Sequence, residues 1–363
     1  MILIRKKKIW KFFSTGTLVL FFFLSITALI FEVYTLIVTY SEGHSPLPKN
    51  FGNFERVRAL LKDDAKQKEF SFAVVGDTKG RGTFERIVEK LREEPLSFMV
   101  LLGDCVREGT PHYHRYLRAE LAEELSTPFP VFYVVGNHDI DRNKFPINRF
   151  EKTYGPTIFS FDYQGCLFIM LRVLPIPYST KVSADFLESL FSGRQKNYRK
   201  IFVFMHIPPP VSPDFKARAF ENSEKFIELF NKYHIDYVFA GDCHYYARVK
   251  FKNTVYLVTG GGGAHLEKGK FGRFHHAMVI KVTPDSVSER ILQINRQEDF
   301  EDTIEMYALA KVYPRLRKNW LVVISLNIII SLFWLAVAIR FNHYIHENTT
   351  NPERLSPKGH FSF

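Results

Sequence analysis

The sequence predicts an α/β fold, a two-sheet sandwich with helices on its outside, carried between two transmembrane helices. Three observations lead there. Apolar runs of four to eight residues alternate with segments of helical period through the middle of the chain, the pattern of β-α units around a buried sheet. Several of those runs end in a Gly-Asp or Gly-Asn turn. Two further stretches, 12–31 and 319–339, run for twenty and twenty-one residues without a charge, the length that spans a bilayer as a helix.

The first apolar stretch is long for the core of a signal peptide, and no small-residue cleavage site stands out after it. Beyond it, "FSFAVVGD" is followed by an amphipathic segment from Phe84 to Glu94, and "SFMVLLGD" by a helical stretch from His112 to Leu125. "PVFYVVGNHD" comes next. "TIFSFDYQGCLFIMLRV" holds two β-rich runs separated by Gln164-Gly165, a hairpin signal. "YRKIFVFMHIPP" precedes a helical segment from Ala219 to Tyr233, and "IDYVFAGDCH" follows it. "NTVYLVTGGGG" and "HAMVIKVTPDSVSERILQI" read as antiparallel strands.

The 363 residues carry a formal charge of +11, but the excess borders the spans. Arg5, Lys6, Lys7, Lys8 and Lys11 precede the first, and Lys311, Arg315, Arg317 and Lys318 precede the second. Residues 41–310 sum to only +2, which argues against a nucleic-acid partner, since such affinity rests on neutralising phosphates. A basic start places the N-terminus in the cytoplasm and the middle domain outside it. The cluster at 311–318 pulls the other way, and the first span usually dominates. Three cysteines, Cys105, Cys166 and Cys243, are not a disulfide framework. An oxidising compartment would permit a Cys105–Cys243 bridge, which spacing alone leaves open.

Asp77, Asp104, Asn137 with His138 and Asp139, His206, Asp242 and His244 all stand just after apolar strands. Ligand sites in open α/β sheets lie beyond the carboxyl ends of strands. Carboxylate, amide oxygen and imidazole together suit transition metals, in particular a pair bridged by one carboxylate. The four glycines Gly260 to Gly263 allow either a mobile linker or a floor where backbone approaches other backbone. Strand-like sequence resumes soon after them and favours the floor. His112, His114, His265, His275 and His276 read as loop or strand-end histidines.

The ordered pieces "VVGDTKG", "LLGDC", "VVGNHD", "FMHIPP" and "AGDCH" resemble the calcineurin-like metallophosphoesterases, a family that includes purple acid phosphatases, from about Phe70 to Ile294. The resemblance implies a four-layer αββα sandwich of the metallo-dependent phosphatase type around two metals (manganese, zinc or iron). It implies Asp104 as the bridging carboxylate, Asp77 and His244 on the first metal, and Asn137 and His206 on the second. His138, oriented by Asp139, would protonate the leaving oxygen. Lys79 stands where the family commonly has histidine, and Asp242 where it has another. Aspartate can replace histidine as a ligand; an ammonium cannot. Lys79 therefore either faces the substrate phosphate or solvent beside two metals, or replaces the first metal. Gly261 and Gly262 would bring backbone towards a phosphate oxygen. Arg107 occupies the position that a metal-binding tyrosine takes in purple acid phosphatases.

The expected organisation is a cytoplasmic basic start and transmembrane helix over 1–40, a lead-in over 41–69, the metallophosphoesterase domain over 70–300, a linker over 301–318, a transmembrane helix over 319–341 and a polar tail over 342–363. The expected activity is hydrolysis of a phosphomonoester or phosphodiester by a metal-activated hydroxide, at a bilayer, where a lipid-linked or envelope ester suits the anchor. The alternative is a metal-poor binding or scaffold domain of the same fold. The sequence specifies no protein partner.

Overall fold

The computed structural model describes residues 2–42, 46–61, 68–79, 82–123, 125–192, 197–215, 217–296 and 300–350. The chain divides into two compact units: Val38–Ala310, and a second made of Met1–Ile37 with Lys311–Phe363.

The larger unit holds eleven strands: β1 (Phe70–Val75), β2 (Phe98–Leu101), β3 (Val131–Tyr133), β4 (Phe159–Tyr163), β5 (Cys166–Met170), β6 (Ile201–Phe204), β7 (Tyr237–Ala240), β8 (Tyr246–Phe251), β9 (Thr254–Thr259), β10 (His275–Val282) and β11 (Val287–Ile294). One sheet has the order β11-β10-β1-β2-β3 and the other β4-β5-β6-β7-β9-β8. β1, β2 and β3 are parallel, as are β5, β6, β7 and β9. The pairs β4–β5, β8–β9 and β10–β11 are antiparallel. The Gln164-Gly165 turn closes the first of these hairpins with φ of 49° and 72°, the two positive values a tight primed turn requires.

Side-chain alternation builds the layers. Phe72 and Val74 of β1, Phe168 and Met170 of β5, and Phe202 and Phe204 of β6 point into one core between the sheets. The intervening Leu167, Ile169 and Val203 point to the opposite face of the second sheet, where they meet Leu187, Phe226 and Phe230. Those three belong to the helices Lys181–Ser192 and Ser223–Lys232. Helices Thr83–Arg92 and Pro111–Glu123 follow β1 and β2 and bury Phe84, Ile87, Leu117 and Leu121. The result is the four-layer sandwich that the pattern of short apolar runs predicts. Its inter-sheet core is aromatic, with Phe72 and Phe98 stacked at 5.1 Å and Phe98 edge-on to Phe168 at 5.1 Å.

Two segments expected as connectors are structured. Within 41–69, Phe51 bridges to Val131, and the Asn53 side chain clamps Tyr133. Its Nδ2 donates to the Tyr133 carbonyl at 2.7 Å, and its Oδ1 accepts from the Tyr133 amide at 2.8 Å. Within 301–318 the chain is helical: Phe300–Tyr307, a π-helical turn at Ala308–Val312, then Tyr313–Lys318. Most of the expected polar tail, 351–363, lies outside the described residues.

In the smaller unit, Thr15–Tyr40 and Trp320–His343 are 26 and 24 residues long and apolar enough to cross a membrane. Asn327 Nδ2 donates to Glu32 Oε2 at 2.8 Å, and the Trp334 indole packs against Phe21 and Phe22. The one carboxylate in the first span thus has its partner on the second.

Two buried histidines tie the fold's stability to pH. His114 donates from Nε2 to the Asp139 carbonyl at 2.7 Å and accepts at Nδ1 from the Tyr154 hydroxyl at 2.9 Å, so it is neutral. Burial lowers it to about 3, and burial likewise lowers His276 to about 4. The unfolded chain takes up these protons near pH 6.5, while the folded chain resists them. The contribution of these two histidines is therefore complete above pH 6.5 and declines as pH falls towards 4, by about 1.4 kcal/mol per pH unit for each. The melting temperature of the full chain in detergent should drop between pH 7 and pH 5, and less so in His114→Gln. An unchanged profile in the variant would remove His114 as the cause.

Candidate metal centre

The centre sits beyond the carboxyl ends of β1, β2, β6 and β7. Asp77, Asp104 and Asp242 each follow a strand and a glycine, with φ of 56°, 55° and 62°. This left-handed backbone is uncommon for residues other than glycine. It turns each chain sharply at the strand end. The Asp242 amide then donates to Asp77 Oδ2 at 3.0 Å, and the His138 amide to Asp104 Oδ1 at 2.8 Å.

Both central histidines are oriented in the same way. His206 donates from Nδ1 to the Leu102 carbonyl at 2.7 Å, which turns Nε2 towards Asn137 Oδ1 at 3.1 Å, Asp104 Oδ1 at 3.4 Å and Asp242 Oδ1 at 3.8 Å. His244 donates from Nδ1 to the His265 carbonyl at 2.8 Å and presents Nε2 to Asp77 Oδ1 at 3.4 Å. Fixing one ring nitrogen on a carbonyl leaves the other for a metal. Burial alone would lower His206, but Asp104, Asp77 and Asp242 around it outweigh burial and raise it to about 9. A proton and a metal therefore compete for Nε2.

The donor set fits a metal. Ligand atoms of Asp77, Asp104 and His206 lie within 4.8 Å of one another, all from fully buried residues. Asp77 Oδ1 and Asp104 Oδ2 are buried and make no hydrogen bond. A carboxylate oxygen left so costs several kcal/mol unless a cation meets it. Asn137, Asp242 and His244 join this cluster at the distances above, so all six expected ligands converge.

Two basic side chains reach into the same cluster. Lys79, itself at φ 49°, places Nζ 3.4 Å from Asp104 Oδ2 and is mostly buried, so it is no solvated turn lysine. Arg218 was not marked by any motif or period in the sequence. Its amide donates to Asp242 Oδ2 at 2.8 Å, while Nη1 contacts Asp242 Oδ1 and lies 3.2 Å from Asn137 Oδ1.

His138 donates from Nδ1 to the Arg107 carbonyl at 2.7 Å and directs Nε2 to within 3.8 Å of Asp104 Oδ2. Burial lowers its basicity, with Lys79 and Arg218 adding to that and Asp104 opposing. Asp139 does not orient this ring, contrary to expectation. Its carboxylate accepts from the amides of Gly136 (2.7 Å), Asp104 (2.8 Å), Cys105 (2.9 Å) and Val106 (3.2 Å). Four backbone donors use its lone pairs, so Asp139 holds the β2 turn in place and the Arg107 carbonyl sets the imidazole.

The four glycines form a floor rather than a linker. A Cβ on Gly260 would lie 2.2 Å from the Cys243 carbonyl oxygen, one on Gly261 2.3 Å from His276 Nδ1, and one on Gly262 2.5 Å from the Gly76 carbonyl oxygen. The Gly262 amide already donates to Gly76 at 2.8 Å, and Gly261 and Gly262 are both buried. Neither faces the open side of the site, as was expected of them; Gly263 and Ala264 do. Cys105, Cys166 and Cys243 are buried free thiols. His114, His275 and His276 are engaged with Asp139, Gly261 and Phe274 carbonyls rather than with the centre.

Fold and centre together define a phosphoric ester hydrolase of the metal-dependent class. Residues 70–246 match the calcineurin-like phosphoesterase family model. It is similar to the serine/threonine-protein phosphatase CPPED1 of Bos taurus, 26% identical over 246 residues, covering 60% of this chain and 74% of the relative. Among solved structures it is similar to a dimetal phosphatase from Danio rerio (14% identity, 63% of this chain and 99% of that one, TM-score 0.49). It is also similar to a purple acid phosphatase from yellow lupin (15% identity, 67% and 56%, TM-score 0.48).

Close approach at Gly136 constrains Asp104 directly. A Cβ there would lie 2.3 Å from the Asp104 amide nitrogen and 2.4 Å from Asp104 Oδ1. Gly136→Ala should lower stability by about 1–3 kcal/mol, read as a shift in the denaturant midpoint. It should also displace Asp104 and weaken metal retention. A variant with unchanged midpoint and metal content would show that the turn has slack.

Proposed function

We propose that this protein is a membrane-anchored metallophosphoesterase whose domain over 70–300 hydrolyses a phosphomonoester or phosphodiester. The observation that carries the proposal is the cluster of ligand atoms from the fully buried Asp77, Asp104 and His206, all within 4.8 Å of one another. Asp104 would bridge two ions, Asp77 and His244 would hold the first, and Asn137, His206 and Asp242 the second. When bound, the ions supply an activated water and offset the charge of the phosphoryl oxygens. The chain's own groups do the rest. The Leu102 and His265 carbonyls hold the two ligand imidazoles in the orientation that exposes Nε2. With Nδ1 donating to the Arg107 carbonyl, His138 Nε2 carries a proton for the leaving oxygen only as the imidazolium, the form that an anionic phosphate beside it favours, a role worth about 10²–10⁴-fold in rate.

The two apolar helices support an anchor, and the basic residues before the first span, which usually dominates, support a catalytic unit outside the cytoplasm against the opposite pull of the cluster at 311–318. A lipid-linked or envelope phosphoester suits a site carried that way. A reporter active only outside the cytoplasm, fused after residue 310, should be active. Activity of a cytoplasmic reporter at that point instead would refute the placement.

Lys79 and Arg218 favour a second reading, a metal-poor domain of the same fold, because each puts a cation on a ligand carboxylate. Metal content decides between them. The full chain should bind manganese, zinc or iron and hydrolyse generic esters. Asp242→His should keep measurable hydrolysis and Asp242→Ala lose most of it. A native protein that takes up no metal and hydrolyses neither ester class would establish the second reading. If Lys79→His raises the stoichiometry from one ion to two, the ammonium replaces the first ion in the native chain.

A further inference from the structure

A cleft of about 810 Å³ opens beside the centre, with Lys79, His138 and His244 at one end. That volume matches sites that enclose a whole small molecule, about 300–1,000 Å³, rather than one phosphate. Its lining also includes Arg107, Arg273 and Arg296, and among the described residues no carboxylate lines it. Some exposed or half-exposed cations of this unit sit against acids, such as Arg86 on Glu89, Lys200 on Asp236, Arg248 on Glu289 and Arg290 on Glu94. Arg273 instead lies 3.3 Å from His265 Nε2. Cations gathered in one cleft repel each other, and the guanidinium fork matches the geometry of a phosphate or carboxylate.

We propose that this lining binds a second anionic group of the substrate, so that the ester taken by the site is a small organic phosphate carrying a further phosphate or carboxylate. The proposal rests on the phosphoesterase reading of the same centre. One phosphate sits at the ligand cluster beside Lys79 and His138, and the second anion meets Arg273 and Arg107 in the same cleft. Among the described residues no acid lining the cleft competes for the Arg273 and Arg107 guanidinium groups, so a substrate with a single charge leaves them unmatched. A second anion there selects between esters of equal reactivity.

The test has two parts, both on the full chain in detergent. Calorimetry compares propane-1,3-bisphosphonate and 3-phosphonopropionate with propylphosphonate, which share a three-carbon frame and are not hydrolysed. The native protein should bind at least one of the two doubly anionic probes about tenfold or more tightly than propylphosphonate. Which probe gains tells phosphate from carboxylate. Arg273→Gln and Arg107→Gln should each reduce that ratio severalfold, with melting temperatures confirming that both fold. Steady-state kinetics then compares kcat/KM for a sugar bisphosphate with that for the corresponding monophosphate, and the same ratio should fall in both variants. Equal affinity for all three probes, or ratios unmoved by both substitutions, would overturn the subsite. Hydrolysis of neither sugar ester would defeat the activity proposed above, while the phosphonate affinities still decide the subsite.

Discussion

The structure depends on bringing three aspartates and two imidazoles into one buried cluster. Like charges at such distances repel, and burial raises the cost of each. The fold meets that cost with backbone dipoles and rigid turns. Asp77 takes the Asp242 amide, Asp104 the His138 amide, and Asp139 four amides around the β2 turn. What the protein leaves unbonded is one oxygen on each of Asp77 and Asp104. Those oxygens face His244 Nε2 and Lys79 Nζ, each at 3.4 Å.

That geometry needs room for backbone against backbone. Gly76, Gly103, Gly136, Gly241 and the run from Gly260 lie at successive strand ends of both sheets, and most have a main-chain atom closer than 3 Å to where a Cβ would stand. The aspartates following Gly76, Gly103 and Gly241 take left-handed backbone angles as a consequence of the same tight turns. Local strain of about 1–3 kcal/mol at each such position persists only because the surrounding sheets over-determine it. The aromatic core between the sheets, centred on Phe72, Phe98 and Phe168, supplies that rigidity.

Much of this was legible in the sequence. Strand ends were marked by Gly-Asp and Gly-Asn pairs, the β4–β5 hairpin by Gln164-Gly165, and the ligands by their position after apolar runs. The role of Asp139 was misread because adjacency to His138 in sequence says nothing of where its carboxylate points; the β2 turn claims it. Gly261 and Gly262 lie in the floor, but whether they are exposed depends on His276 packing against the first and Gly76 against the second, which only the tertiary structure shows. The structure of 50–58 was hidden because its strongest tie, Asn53 to Tyr133, is a single side chain acting across eighty residues. Arg218 and the lining of the cleft carry no periodicity, so no pattern search could have joined Arg107, Arg273 and Arg296.

Lys79 and Arg218 give the cluster a property that its carboxylates alone would not have. Each offers a tethered cation to an aspartate oxygen that a metal would also claim. Two cations about 4 Å apart in a partly dry site repel strongly, even with screening. Metal entry therefore requires these side chains to swing away, and the nearest space open to Lys79 is the cleft it already lines. An ammonium moved from Asp104 into that cleft would add to the positive lining facing the substrate. If an ion displaced Lys79 in this way, ion binding and anion binding would be coupled through that one side chain, and the state with metal and anionic substrate together would be favoured over the state with either alone.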